Sequence, residues 1–358
     1  MKKFICILFF IQIFVSQLTT AQTESLKIYD GFNDSPREKN GVRIVFYNVE
    51  NLFDIFDDSL KRDGEFTPEG AKFWNNYKYY AKLNNISKTI ISVGGWEAPG
   101  IIGFCEVENY FVLKQLTEKT SLKKFHYKII HFDSPDGRGI DNGLIYRPEK
   151  FKPLYSKPIR VSNSTLKTRD ILYVKGLVLN KDTLHLFINH WPSRWGGQAK
   201  SEPKRIYVAS VLRSIADSLL ENNPKANIVI VGDLNDEPIN KSVIETLKAG
   251  DITENLQPNN LYNLMYEKQK NGEGSLVYKD FTGYHWNMFD QFIVSAELLK
   301  PKKGLIISSD KAQIFKAEYL LEKTKDGFIK PFRTYAGPRF LGGYSDHLPV
   351  FIDLIFSK

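Results

Sequence analysis

The run IVIVGDLNDEP, Ile228 to Pro238, decides how this chain is read. Four β-branched residues in succession mark a strand buried in the interior. They lead into Gly232 and then Asp233, Asn235, Asp236 and Glu237, so the strand delivers three acids and an amide to its end. Alternation predicts Asp233 and Asn235 on one side of the chain. Gly232 is expected to let the backbone turn or approach a ligand closely. Hard oxygen donors crowded at a sheet edge need a divalent cation or a phosphate-bearing substrate to balance them. An Asx-rich turn after the strand is the plainer alternative for this segment alone.

Other strand ends repeat the arrangement. IVFYNVENLFD places Asn48 and Glu50 two residues apart, and IIGFCEVEN sets Glu106 directly after an apolar run with Asn109 close behind. LHLFINHWPSRWGG brings His190, Ser193 and Arg194 into a loop beside Trp191 and Trp195. Arginine suits bidentate contact with phosphate oxygens, and an indole can stack on a base or wall a cleft, which makes Arg194 and Trp191 candidate substrate contacts. A loop packed by two tryptophans is the plainer alternative. Asp290 and Gln291 open the strand of FDQFIVS, and Ser345, Asp346 and His347 precede the final strand in GGYSDHLPVF. Neither Ser193 nor Ser345 stands in a G-x-S-x-G setting, so both read as hydrogen-bonding residues rather than nucleophiles.

Short apolar runs recur through the chain: 42–47, 100–105, 127–131, 142–146, 171–179, 183–189, 227–231, 288–294 and 350–355. These nine candidate strands are interleaved with helical periodicity over 76–93, 110–120 and 200–220, and a short helix is expected over 240–248. No repeat or Gly/Ser-rich linker divides them. The pattern predicts one domain, 41–358, of two packed sheets flanked by helices. A polar stretch from about 253 to 280 interrupts the strand spacing, either shaping specificity or serving as a passive loop.

The first 21 residues read as a secretory signal peptide, with Lys2 and Lys3 ahead of an apolar run and a small-residue site at Ala21. The run is too short for a bilayer span, so export without a membrane anchor is expected, followed by a flexible tail over 22–40. Of two cysteines only Cys105 follows the leader, which excludes an intramolecular disulfide; its apolar neighbours predict a small buried hydrophobe. A net charge of +8 on 358 residues, spread without a basic run, favours an anionic ligand or serves solubility.

Taken in order, NVENLFD, GFCEVEN, INHWPSR, GDLNDEP, FDQFIVS and YSDHLPV resemble the signatures of the endonuclease/exonuclease/phosphatase superfamily, the DNase I-like fold, over nearly all of Val42 to Ile355. The resemblance implies an α/β fold, a four-layered sandwich of two mixed sheets with helices outside. It also implies phosphate-ester hydrolysis assisted by Mg²⁺ or Mn²⁺. Carried over residue by residue, Glu106 is the principal metal ligand, supported by Asn48, Glu50 and Asp346. Asp233 orients or deprotonates the attacking water and Asn235 holds the phosphate. His347 binds a non-bridging oxygen or acts in acid/base catalysis, with Asp290 as its orienting partner. His190 matches a second family histidine that contacts the phosphate or the leaving group. Arg169 stands where relatives place an arginine near the phosphate, and Asn142 resembles a polar residue of the central strand that faces the cleft.

The expected protein is therefore an exported, monomeric, metal-dependent phosphodiesterase of nuclease type, with DNA or RNA as partner. A phosphatase or a phospholipid-headgroup enzyme of the sphingomyelinase kind is the alternative within the fold. A headgroup enzyme calls for an exposed apolar hairpin, and the sequence shows no strong one. A catalytically silent binding protein is the alternative from another class. It predicts loss of a core residue, yet Asn48, Glu106, Asp233, Asn235, Asp346 and His347 are all present.

Overall fold

The computed structural model describes residues 41–357 apart from 253, 254, 301, 302 and 310. The expected signal peptide, 1–21, and tail, 22–40, lie outside the described residues. With strands numbered β1 to β20 along the chain, the first sheet holds β1 (Gly41–Leu52), β2 (Ile101–Val107), β3 (Lys128–His131), β4 (Asp141–Tyr146), β14 (Gly304–Ile307), β15 (Gln313–Ile314) and β20 (Val350–Ser357). Its order is β14-β20-β1-β2-β4-β3, with β15 also paired to β20. The second sheet runs β5 (Phe151–Ile159), β6 (Ile171–Val178), β7 (Asp182–His190), β8 (Asn227–Asp233), β13 (Asp290–Ser295), β10 (Leu261–Asn263) and β9 (Ala249–Gly250). Both sheets are mixed: β1 and β2 are parallel, as are β7 and β8, while β20 and β13 run antiparallel to them.

Three apolar clusters account for the layers. Ile44, Phe46, Ile101, Leu186, Val229, Val231 and Phe292 pack between the sheets. The outer face of the first sheet packs Tyr47, Ile102 and Phe104 against Leu83, Ile86, Ile90, Val112 and Leu116 of α1 (Asn76–Gly94) and α2 (Tyr110–Lys119). The outer face of the second packs Phe187, Ile228 and Ile230 against Val208, Leu212 and Ala216 of α3 (Gln198–Asn222). Each fully buried side chain of this kind stabilises the fold by roughly 1.5–3 kcal/mol. The result is the helix–sheet–sheet–helix sandwich expected of the DNase I-like fold.

Helix ends follow local chemistry. The Asn75 and Asn109 side chains accept hydrogen bonds from the backbone N–H groups of Lys78 and Val112, capping α1 and α2. Asn109 is thus a cap, although it trails Glu106 in sequence like a site residue. Instead of a helix over 240–248, the chain makes a single π-helical turn, Ser242–Thr246. β5 escaped the sequence pattern because Pro153 and Pro158 interrupt it, and prolines are tolerated at a sheet edge where β5 lies.

The topology fixes where function can sit. The C-terminal ends of β1, β2, β7 and β8 and the N-terminal ends of β4, β13 and β20 all emerge at one rim of the two sheets. Gly232 serves this packing rather than a ligand: a Cβ there would stand 2.2 Å from the Asn189 carbonyl oxygen of β7. Nor is the 253–280 stretch a passive loop in its described residues. It supplies β10 to the second sheet, a short helix α4 (Tyr266–Lys270) and the first arm of a hairpin, β11 (Leu276–Asp280) with β12 (Gly283–Asn287).

Candidate active site

Bulges aim the side chains at the rim. The register slips between Asn48 and Leu52 and between Cys105 and Val107. At those slips Glu50 and Glu106 take φ of +49° and +60°, and Asn235 takes +50° beyond β8. Left-handed backbone at three non-glycine residues is strain that concentrates at functional sites, and bulges re-aim side chains at sheet rims. Alternation therefore fails here. Asn48 faces Asp233 and His347, whereas Glu50 swings to Arg333 and Thr334.

A hydrogen-bonded relay occupies the centre. Asp290 Oδ2 lies 2.6 Å from His347 Nδ1 and accepts a 2.5 Å bond from the Ser275 hydroxyl. The far ring nitrogen, Nε2, stands 3.8 Å from Asp233 Oδ2 and 3.4 Å from Asn48 Nδ2. Asn48 Nδ2 donates to Asp233 Oδ2 at 3.0 Å, and the Asn235 backbone N–H donates to Asp233 Oδ1 at 2.9 Å. Ser345 pins the histidine loop: its hydroxyl donates to the Asn48 carbonyl at 2.7 Å and accepts from the His347 N–H at 3.1 Å. Burial works against charge on His347, but Asp290 overrides it and holds the imidazolium well above the usual histidine range. Burial and the nearby Asp290 push the Asp233 carboxyl up to about 7, with His347 pulling the other way.

His190, at the end of β7, is held in the opposite state. Burial, reinforced by Arg169, Arg138 and His347, drops its pKa well below the usual value, so the ring is neutral. Its Nε2 stands 3.7 Å from Asp233 and 3.9 Å from Glu106, and Nδ1 is buried without a hydrogen-bond partner. Two histidines in one cleft, one cationic and one neutral, are a division of acid and base roles set by environment.

The expected metal ligands supply hard oxygens but sit among cations. Arg333 bridges Glu50 at 3.2 Å and Asp346 at 3.1 Å, Lys82 Nζ lies 4.0 Å from Glu50, and Glu106 accepts from the Asn51 N–H at 2.9 Å with Arg138 at 3.9 Å. Burial and Asp346 raise the Glu50 pKa. The three carboxylates do not lie within 4.8 Å of one another. The described groups that do are Asp233–Asp290–His347, Cys105–His190–Asp233 and, elsewhere, His131–Asp133–Asp141. The first is the relay just described, joined by the 2.6 Å hydrogen bond between Asp290 and His347 and the 3.8 Å ion pair between His347 and Asp233. Carboxylate and amide oxygens from Asn48, Glu50, Glu106 and Asp346 match the donor chemistry of Mg²⁺ or Mn²⁺, and Arg333, Lys82 and Arg138 supply counter-charge to the same carboxylates.

Four substrate contacts expected from sequence are placed differently. Trp191 is fully buried in the core beneath α3, with Nε1 donating to the Asn189 side chain; it cannot stack on a base. Trp195, 88% exposed in the same loop, is the free indole. The guanidinium of Arg194 is spent on the Asn235 carbonyl, Gln198, Asp236 and Asn240, and lies 4.4 Å over the Phe289 ring, so it braces the GDLNDEP loop rather than a phosphate. Asn142 donates to the Asp170 carbonyl, and Arg169 donates to the Trp191 carbonyl and pairs with Asp136. Arg169 still acts on the site through its suppression of His190 protonation.

Sequence reasoning missed Arg333, Lys82 and Ser275. Arg333 and Ser275 lie in polar stretches without periodicity, while Lys82 is buried on α1 with its ammonium donating to Thr334 Oγ1 and the Tyr344 carbonyl. A lysine flanked by Tyr79, Leu83 and Ile86 on the apolar face was the available signal. Asp236, the second acid of the opening run, is fully buried and ion-paired with Arg205 at 2.7 Å and Arg194 at 3.1 Å.

A buried Asp–His relay, a second neutral histidine and a rim of hard oxygen donors define a hydrolase of phosphoric esters. The chain belongs to the Endonuclease/Exonuclease/phosphatase family, whose profile matches residues 43–355. No curated protein matches it in sequence. Among solved structures it is similar to the mannosyl-6-phosphatase of Bacteroides thetaiotaomicron, at 15% identity and TM-score 0.55, covering 88% of this chain and 100% of that one. It is also similar to D. rerio TDP2 complexed with a single-strand DNA product, at 16% identity and TM-score 0.54, covering 88% and 98%. The human Nocturnin catalytic domain matches at 18% identity and TM-score 0.53, covering 88% and 95%. At these identities the likenesses speak for the fold.

Proposed function

We propose that this phosphoric ester hydrolase is an exported, monomeric phosphodiesterase of nuclease type that uses Mg²⁺ or Mn²⁺ and acts on DNA or RNA. The observation that carries the chemistry is the Asp290–His347–Asp233–Asn48 network, which sets a near-neutral carboxyl beside an imidazolium at the mouth of the rim. Export rests on the leader sequence, and nucleic acid as substrate on the positive charge together with the exposed indole of Trp195, the residue after Arg194 in the loop that follows His190.

Each residue has a role its environment supports. Asp233, with its pKa near 7, takes the proton of the attacking water, whose oxygen bonds to phosphorus as the ester P–O bond breaks. His347, charged by Asp290, donates Nε2–H to a non-bridging phosphate oxygen as negative charge builds there. Asn235 gives one amide N–H to the Trp191 carbonyl at 3.0 Å and keeps a second for the phosphate. Neutral His190 contacts the phosphate or the departing alkoxide. Asn48, Glu50, Glu106 and Asp346 would hold the divalent ion, which when bound offsets charge on the phosphate.

The test is a hydrolysis panel of plasmid DNA, RNA, bis-p-nitrophenyl phosphate, p-nitrophenyl phosphate and sphingomyelin, each with Mg²⁺, Mn²⁺ or EDTA. The expected result is metal-dependent cleavage of nucleic acid and the model diester. Turnover of the monoester alone removes the nuclease reading. Full activity in EDTA, or in an Asp233→Ala variant, removes the mechanism. Sphingomyelin tests the headgroup alternative, which one structural feature favours: the hairpin of β11 and β12 carries Phe281, 99% exposed, at its tip.

A further inference from the structure

A cavity of about 260 Å³ opens against the metal-side carboxylates, with Glu50 in its wall. Its other walls come from two segments outside the family signatures: the stretch before α1, with Phe66, Lys72 and Trp74, and the turn after Arg333, with Tyr335. The aromatics are fixed. Trp74 is fully buried and donates Nε1 to the Phe53 carbonyl at 3.0 Å, and the Tyr335 hydroxyl donates to the Lys72 carbonyl at 3.0 Å. Fixed aromatic walls share the lining with the polar side chains of Glu50, Asn51, Lys72, Arg333 and Thr334, and the volume of about 260 Å³ sits near the small end of ligand pockets, below roughly 300 Å³.

Two of the polar groups, Lys72 and Arg333, are cationic, and one, Glu50, is anionic. Lys72 Nζ donates once, to the Gly337 carbonyl at 2.9 Å, and its nearest carboxylate is the exposed Glu65 at 3.7 Å. An ammonium has three N–H donors, so two remain for a ligand. Arg333 spends Nε on Glu50 and Nη2 on Asp346, leaving further donors of its five. Lys78 stands behind them, its Nζ 5.7 Å from the Tyr335 ring centre. An anion placed between Lys72 and Arg333 meets positive charge on both sides.

We infer that this cavity is a subsite for a second phosphate group of the substrate, held by Lys72 and Arg333 while the scissile phosphate lies at Asp233 and His347. The inference rests on the phosphodiesterase reading for its substrate class, since a nucleotide chain carries its next phosphate one sugar away. The next phosphate of such a chain is a diester that spreads one negative charge over two non-bridging oxygens, and Lys72 and Arg333, both lining the cavity, can each donate to one of them.

The experiment reads binding, so it stands whether or not any diester is turned over. Isothermal titration of the Mn²⁺-loaded protein, at about physiological salt to screen diffuse attraction, compares thymidine 3′,5′-bisphosphate with thymidine 5′-monophosphate. The bisphosphate is expected to bind at least tenfold more tightly to the native protein. Lys72→Gln is expected to cut that preference at least fivefold, and Lys72→Arg to keep most of it. The melting temperature of each variant checks that it folds. Equal affinities for the two ligands in the native protein, or a preference unchanged in folded Lys72→Gln, overturn the subsite. Failure of the phosphodiesterase reading shows instead as absent hydrolysis of DNA, RNA and bis-p-nitrophenyl phosphate.

Discussion

Asp290→Asn isolates the contribution of charge on His347. The carboxylate is fully buried, 2.6 Å from His347 Nδ1, and holds the imidazolium well above the ordinary value of 6.5. An asparagine of the same shape presents either an amide N–H or a neutral carbonyl to Nδ1, so the strongest upward pull is lost and only Asp233 and Asp346 still oppose burial. A ring returned to its ordinary value is about a tenth protonated at pH 7.5, a loss of about tenfold from population alone. The neutral ring can still donate from Nε2, but hydrogen bonds from a charged donor are worth about 1.5–3 kcal/mol against roughly 0.5–1.5 for neutral ones. Together these predict a fall in kcat/KM of about 10²- to 10³-fold, within the range of roughly 10²–10⁴ for acid/base groups. The assay is bis-p-nitrophenyl phosphate hydrolysis with Mn²⁺ from pH 5.5 to 8.5. The defect should shrink as pH falls and the ring regains its proton. A variant with native activity, or one whose defect is equal at pH 5.5 and 8.5, refutes the assignment of a charged His347.

Four further outcomes follow from the same geometry. Asp233 should titrate at about 7 in the metal-free protein, followed by its carboxyl carbon resonance, and Mg²⁺ should move that titration to lower pH because added positive charge favours the carboxylate. Asp233→Asn should lower kcat about 10²- to 10⁴-fold with little change in melting temperature. Arg205→Met leaves the fully buried Asp236 without its 2.7 Å partner and should cost about 3–5 kcal/mol in a urea titration, far more than a surface pair of about 0–1. Trp195→Ala should weaken binding of single-stranded oligonucleotide by about 1–3 kcal/mol, the value of one stacked base, while leaving p-nitrophenyl substrates unaffected.

What sequence could and could not reveal follows from the range of the forces involved. Buried strands advertise themselves because burial on both faces demands continuous apolar residues, as in Val229–Val231, and the sheets then bring their ends together by register alone: His190 pairs Asp233, and Asp290 pairs Asp233 from the other side. Three candidate catalytic residues thus meet because two strand pairings end on the same residue. Direction at the rim is a different matter. Whether Glu50 follows Asn48 into the cleft depends on a bulge in which Val49, Glu50 and Asn51 stand opposite Glu106 alone, and the sequence pattern carries no mark of it. Whether Trp191 or Trp195 faces solvent depends on the Arg169 and Asn235 side chains that both bond the Trp191 carbonyl and hold that residue inward. Arg194 reads as a phosphate contact until Asp236, buried in the floor of the same loop, is seen to need two cations. In each case the deciding partner lies over 20 residues away, so residue type names the chemistry and long-range pairing decides which side chain performs it. The same reasoning explains why Arg333 was invisible: its value lies in bridging Glu50, 283 residues distant, to Asp346, and neither its neighbours nor its spacing express that contact.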